Sequence, residues 1–218
     1  MKTYYLLALS LLLTIDASSQ TKIGLKGGVN FAKFRYSDSE SNDDNKIQTS
    51  FQIGGYANLP LGKFFSFQPG LTLSGKGNKV ESSFGYSHFK SSTNIMYLEI
   101  PVNAVYKKAG FYIGAGPYAA FALAGEHESE GEMDVSSSFT PQLIEFSDTH
   151  DLKFGSGDDK DFKRTDFGVN LLGGYEFRNG LNFGLNYGLG IRDIGSSSLD
   201  GISKTRNRIF SLTFGYSF

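Results

Sequence analysis

The chain has 218 residues, 21 basic against 22 acidic side chains and no cysteine, which suits one domain and excludes a disulfide scaffold, a thiol nucleophile and a Cys-ligated metal. A net charge of −1 argues against generic nucleic-acid binding. The excess of 27 Gly, 20 Phe and 12 Tyr favours strands, because glycine weakens helices and rings suit pleated surfaces.

The first predicted element is the apolar run from Tyr4 to Ile15, which follows Lys2 and precedes Ala17-Ser18-Ser19-Gln20. A cationic start, about a dozen apolar residues and small residues at the −3 and −1 sites predict a signal peptide over 1–19, cleaved after Ser19. The alternative is a buried first helix or strand. The run falls short of the roughly 20 apolar residues that a membrane-spanning helix needs. The mature domain is then 20–218, exported to the cell envelope.

From Lys22 onward apolar residues recur with period two, as strands with two different faces require. Eight runs are predicted, at about 22–34, 49–59, 63–78, 94–106, 110–124, 165–177, 181–193 and 206–218. Short links join the second to the third, the fourth to the fifth and the sixth to the seventh; Arg178-Asn179-Gly180 carries the Asn-Gly hairpin signal. The links 35–48, 79–93, 125–164 and 194–205 are expected as long polar loops. Alternating short turns and long loops, a greasy outward face and a small polar inward one predict an all-β, eight-stranded antiparallel up-and-down barrel in the outer membrane. Phe64, Phe65, Tyr106, Phe111, Tyr175, Phe177 and Phe183 suggest an aromatic girdle near the turns, and Phe31, Phe34, Phe121 and Phe167 one near the loops. A soluble lipocalin-like barrel is the rival, but many inward Phe residues would crowd eight strands.

The opening Ile23-Gly24-Leu25-Lys26-Gly27-Gly28-Val29-Asn30-Phe31, the segment Tyr97-Leu98-Glu99-Ile100-Pro101-Val102 and the terminal Phe218 resemble the PorT-type outer-membrane β-barrel family of the Bacteroidetes. The resemblance implies contact with outer-membrane lipid. It also implies recognition of the last strand, ending in Phe218, by the barrel-assembly machinery. Some members serve secretion and gliding.

Inward parity places Lys26, Glu99, Glu176 and Arg192 in the lumen, where balanced charge forms a network that plugs the barrel or gates a solute, with Tyr56, Tyr97, Tyr112 and Tyr118 filling space. Pro69, Pro101 and Pro117 sit at similar heights in three successive strands, which predicts bulges or weakened pairing there, unless they are unrelated kinks. The loop 125–164 holds eleven acids against four bases, so it is either a solvated loop or a surface for an envelope protein partner or divalent cations. Within it Gly155–Asp161 resembles part of a calcium loop but lacks the full ligand spacing. His88, His127 and His150 are placed in loops, beside Ser residues and carboxylates. No Gly-x-Ser-x-Gly elbow, His-Glu-x-x-His helix or phosphate-cradling loop is present, so no enzyme activity and no cofactor are expected. The expected role is structural or interactive; an accessory part in a secretion or gliding apparatus and a rim-site lipid enzyme are the alternatives.

Overall fold

The computed structural model describes residues 21–36, 45–84, 87–134, 143–157, 159–196 and 204–218, so the signal segment 1–19 lies outside the described residues. The strands are β1 (Lys22–Tyr36), β2 (Asn45–Lys46), β3 (Gln48–Pro60), β4 (Phe65–Phe84), β5 (Ser87–Lys108), β6 (Phe111–Asp134), β7 (Leu143–Asp151), β8 (Thr165–Glu176), β9 (Leu181–Gly190) and β10 (Thr205–Ser217). Antiparallel pairing runs β1-β3-β4-β5-β6-β8-β9-β10 and closes where Gly24 meets Ser217 and Tyr36 meets Thr205. Eight strands thus form a ring, and closure leaves no lipid-facing edge.

Alternation decides which way each residue points. Leu25, Ile53, Leu71, Ile100, Ile113, Leu171 and Phe214 are exposed on the outside, while Asn30, Thr72, Ser74, Asn170, Ser211 and Thr213 are buried inside. This is the reverse of a soluble barrel. Rings cluster at the turn end, where Phe65–Tyr106, Phe111–Tyr175 and Tyr216–Phe218 have centroids 5.2, 4.8 and 5.0 Å apart. Phe34 is not in the opposite girdle: it has inward parity on β1, is 3% exposed and packs on Phe162 inside the mouth at 5.7 Å.

The two-residue turn between β5 and β6 has positive φ at both Ala109 (54°) and Gly110 (87°), the primed geometry that matches strand twist. At each of the three prolines the ladder loses pairs without changing register. Pairing skips from Tyr56↔Gly70 to Leu59↔Phe67, from Pro69↔Val102 to Thr72↔Glu99, and from Pro101↔Tyr118 to Ala104↔Ala115. A missing N–H donor weakens the ladder locally, so the effect is interruption and not a bulge. The β5–β6 register shift lies elsewhere, at Met96/Tyr97.

The regions expected as loops at 79–93 and 125–164 are corrected. β4 and β5 stay paired up to Phe84↔Ser87, and β6 continues past the barrel to pair with β7 from Glu126↔Asp151 to Asp134↔Leu143. Apolar alternation stops at the membrane boundary because no lipid faces these residues, yet backbone pairing needs no lipid and continues. β2 likewise pairs with β4 inside the expected loop 35–48. A four-stranded sheet of β4, β5, β6 and β7 therefore rises above one side of the ring.

Candidate functional site

The interior is built from inward residues on six strands, β1, β4, β5, β6, β8 and β10. Lys76 is fully buried; its Nζ lies 2.8 Å from Glu99 Oε2 and 3.2 Å from Asp166 Oδ2. Asp166 Oδ2 also accepts from Tyr118 Oη at 3.1 Å and Asn207 Nδ2 at 2.9 Å, and Asn170 Nδ2 donates to Glu99 at 3.2 Å. The ammonium sits 4.2 Å from the Tyr118 ring centroid and 5.1 Å from that of Tyr97. One cation between two carboxylates, with amide and phenol donors supplying further bonds, is the arrangement that makes buried charge tolerable. Asn30 extends the network towards β10 and β4, bonding Ser211 at 2.8 Å and Ser74 at 3.0 Å.

Below this cluster, towards the short turns, a cavity of about 60 Å³ is lined by Lys26, Gln52, Tyr56, Asn103, Tyr112 and Glu176 among others, room for a few waters. Beside Lys76 the space narrows to about 10 Å³. Above it, Leu152, Phe154 and Phe162 from the segment after β7 fold into the mouth and pack with Phe34, Tyr36, Ile95, Ala122 and Ile194. The segment is tied down by Ala122 N–H donating to Arg164 O at 2.7 Å and Lys163 N–H to Ile194 O at 2.8 Å. The lumen is thus filled by a charged middle and an apolar cap.

Asp193 latches the cap. It takes Lys163 Nζ at 2.9 Å and the backbone N–H groups of Thr205 and Gly195 at 2.9 and 3.2 Å. Burial pushes its carboxyl up, but these donors outweigh burial and hold it below the usual aspartate range. A depressed folded-state value means that the latch contributes stability above the unfolded value of about 4 and loses it as pH falls through the folded one. Asp193→Ala is expected to speed hydrogen exchange across 152–164 at neutral pH, and acidification below about pH 4 is expected to do the same to the natural protein. Unchanged exchange in the variant would show that packing alone holds the cap.

A model of the family described as "Outer membrane protein beta-barrel domain" matches residues 16–196. The chain belongs to this family. No curated protein matches it. Among solved structures it is similar to Ail, the attachment invasion locus protein of Yersinia pestis (9% identity over 90% of this chain and 98% of that one, TM-score 0.42). It is also similar to Neisserial surface protein A (13%, 90% and 97%, 0.39) and to CarO of Acinetobacter baumannii (9%, 88% and 97%, 0.42).

In outer-membrane barrels the short turns face the periplasm, so the raised sheet and the capped mouth of this barrel lie at the outer side. Three of the four charges expected in the lumen, Lys26, Glu99 and Glu176, line the lower cavity together, and Arg192 does not join them. Glu99 joins the buried cluster, Lys26 lines the lower cavity, and Glu176 pairs with Lys107 at 2.5 Å and Lys22 at 3.4 Å near the turn end. Arg192 is not inward: β9 ends at Gly190, and past that point parity no longer fixes direction, so the guanidinium is exposed over the Phe167 ring at 5.4 Å. Lys76 and Asp166, the centre of the cluster, were missed although both have inward parity within expected strands. Phe218 donates its N–H to Ile23 O at 2.8 Å, continuing the β1–β10 ladder.

The histidines lie on strands and not in loops. Ser83 meets His88 at 2.9 Å, Thr93 and Ser91 meet the two nitrogens of His127 at 2.9 and 3.3 Å, and Asp148 meets His150 at 3.0 Å. The acidic segment 125–164 is likewise not one loop: it comprises the end of β6, β7 and the cap. Period two puts Glu126, Glu128, Glu130 and Glu132 on a single face of β6, where among the described residues Lys90 alone pairs with them, to Glu130 at 3.2 Å. In the Gly155–Asp161 stretch Asp159 pairs with Lys160 at 2.6 Å and Asp161 accepts from Lys153 N–H at 2.8 Å.

Proposed function

We propose that this barrel is non-catalytic and acts as a structural or interaction protein, meeting an envelope protein partner through the raised sheet, which carries most of the acidic residues of 125–164. The observation that carries this reading is the contrast between a filled lumen and a sheet that extends well beyond what spanning requires, since roughly 9–11 residues per strand cross a bilayer whereas β6 has 24. A free edge supports it, because among the described residues β7 pairs with β6 alone. Such an edge offers backbone groups to an added strand.

Two measurements test the reading. Purified protein in planar bilayers should pass no steady ion current. The chain has no cysteine, so a single Ser147→Cys handle on β7 should crosslink a specific envelope protein in intact cells, and a handle at the short turn, Lys63→Cys, should not. Steady current blocked by Glu99→Ala would make the lumen a conduit and overturn the proposal; so would equal crosslinking from both ends.

The finer placement, a PorT-type barrel with an accessory part in secretion or gliding, rests on the opening strand and on Tyr97–Val102; co-purification with a large envelope complex tests it. Phe218 is the residue proposed for recognition by the barrel-assembly machinery. The rim-site lipid enzyme is favoured only by the Ser91–His127–Thr93 contacts, and altered lipid composition in a deletion strain would support it.

A further inference from the structure

We infer that the outer rim over β1, β10, β9 and β8, on the side away from the raised sheet, binds the phosphate groups of an outer-leaflet lipid headgroup. Five cations stand there, Lys33 and Arg35 at the end of β1, Arg206 and Arg208 at the start of β10 and Arg192 after β9; a sixth, Arg164 before β8, stands at the flank over Phe121 of β6. Odd residues of β1 and even residues of β10 face outward, and the register sets Lys33 directly opposite Arg208 and Arg35 directly opposite Arg206. Two like-charge pairs in adjacent rungs of one ladder destabilise a sheet. Among the described residues none of the six has a carboxylate partner within ion-pair distance. An anion lying against the rim supplies the missing charge.

Depth and geometry fit a lipid phosphate. Phe31 and Phe210, stacked at 6.5 Å, are paired one rung set below Lys33 and Arg208. At about 3.4 Å per residue Lys33 and Arg208 stand roughly 7 Å, and Arg35 and Arg206 roughly 14 Å, further along the strands than these rings, where an aromatic belt gives way to headgroups. Arg164 and Arg192 lie over Phe121 and Phe167 at 5.5 and 5.4 Å, so ring faces hold two guanidinium planes at the same boundary. Arg208 spends one nitrogen on the carbonyls of Gly190 and Asn207, at 2.7 and 3.0 Å, which fixes its position and leaves its other donors. Arg206 Nε is buried with no partner among the described residues. Guanidinium forks suit phosphate better than ammonium does.

Native mass spectrometry of the purified, delipidated barrel in a neutral detergent tests the inference with three probes: diphosphorylated lipid A, the same lipid dephosphorylated, and inorganic phosphate. The phosphorylated lipid should be retained and the dephosphorylated one largely lost. Arg35→Gln with Arg206→Gln should weaken lipid A binding about thirtyfold, from roughly one increment per cation removed at an anionic surface. Glu128→Gln with Glu130→Gln, on the opposite wall, should leave it unchanged. Arg192→Gln lies outside the ladder and keeps the test open if the double variant folds poorly; about a fivefold loss is expected. Equal retention of both lipids, or undiminished binding by heat-modifiable, folded variants, would overturn the inference. Displacement by inorganic phosphate at concentrations equal to the lipid would also overturn it, because the rim would then be a plain anion site. These readouts do not depend on any partner of the raised sheet.

Discussion

Lys76→Met is expected to destabilise the barrel by about 3–5 kcal/mol, the largest single effect in the molecule, because it strands Glu99 and Asp166 in the interior with no cation between them. The geometry makes the loss specific. Lys76 is fully buried and touches both carboxylates, at 2.8 and 3.2 Å. Glu99 retains Asn170, and Asp166 retains Tyr118 and Asn207, but neutral donors do not cancel two negative charges. Neutralising all three, in Lys76→Met with Glu99→Gln and Asp166→Asn, should recover most of the loss, since an uncharged interior of similar volume has no desolvation to offset. The urea midpoint for unfolding from phospholipid vesicles, followed by circular dichroism and heat-modifiable mobility, measures both. A single variant with the natural midpoint would show that the cluster is electrostatically idle, and a triple variant no better than the single would show that shape, not charge, is what Lys76 supplies.

Gly168→Val should cost about 2–3 kcal/mol by overpacking. A Cβ at Gly168 would lie 2.2 Å from the Leu189 carbonyl oxygen and 2.5 Å from Tyr118 Cε1, so the ring must leave the place from which it covers Lys76 and donates to Asp166. Gly173→Ala is the control on the same strand. Its Cβ would meet nothing nearer than the Tyr112 carbonyl at 3.5 Å, and its midpoint should stay close to that of the natural protein. Equal midpoints for the two variants would remove the claim that glycines make room for the lumen's rings.

That pairing explains two excesses in the composition together. Tyr118 lies on Gly168, Tyr112 on Gly174 and Gly184, and Tyr56 on Gly24, each ring within 2.2–2.7 Å of where a methyl group would stand. In the sequence, glycine and tyrosine were visible only as separate abundances on inward positions. Which glycine faces which ring depends on strands far apart in the chain.

Lys76 and Arg192 show where sequence reading reached its end. Parity by itself placed Lys76 and Asp166 inward, within the expected strands 63–78 and 165–177, and nothing but parity was needed to include them. That Lys76 meets Glu99 is a matter of the β4–β5 register, in which Thr72 stands opposite Glu99, and that it meets Asp166 is a matter of reach across the lumen to β8. Arg192 lies past Gly190, where the chain stops being a strand and parity no longer fixes direction.

The sequence by itself determined the class, the ring of eight and the direction of most side chains, because a bilayer demands apolar residues at every second position and that demand is written locally. It also showed the short turns, although at Asn179-Gly180 only the glycine takes positive φ and the turn with two such residues is Ala109-Gly110. Only the tertiary structure decided how far β4 to β7 continue outside the membrane, since there both faces are solvated and no periodic demand remains. It likewise decided that the acidic segment divides into a sheet and a cap, and that cations from both ends of the chain meet on one rim, because strand closure joins β1 to β10 and no local pattern records which residues that closure sets side by side.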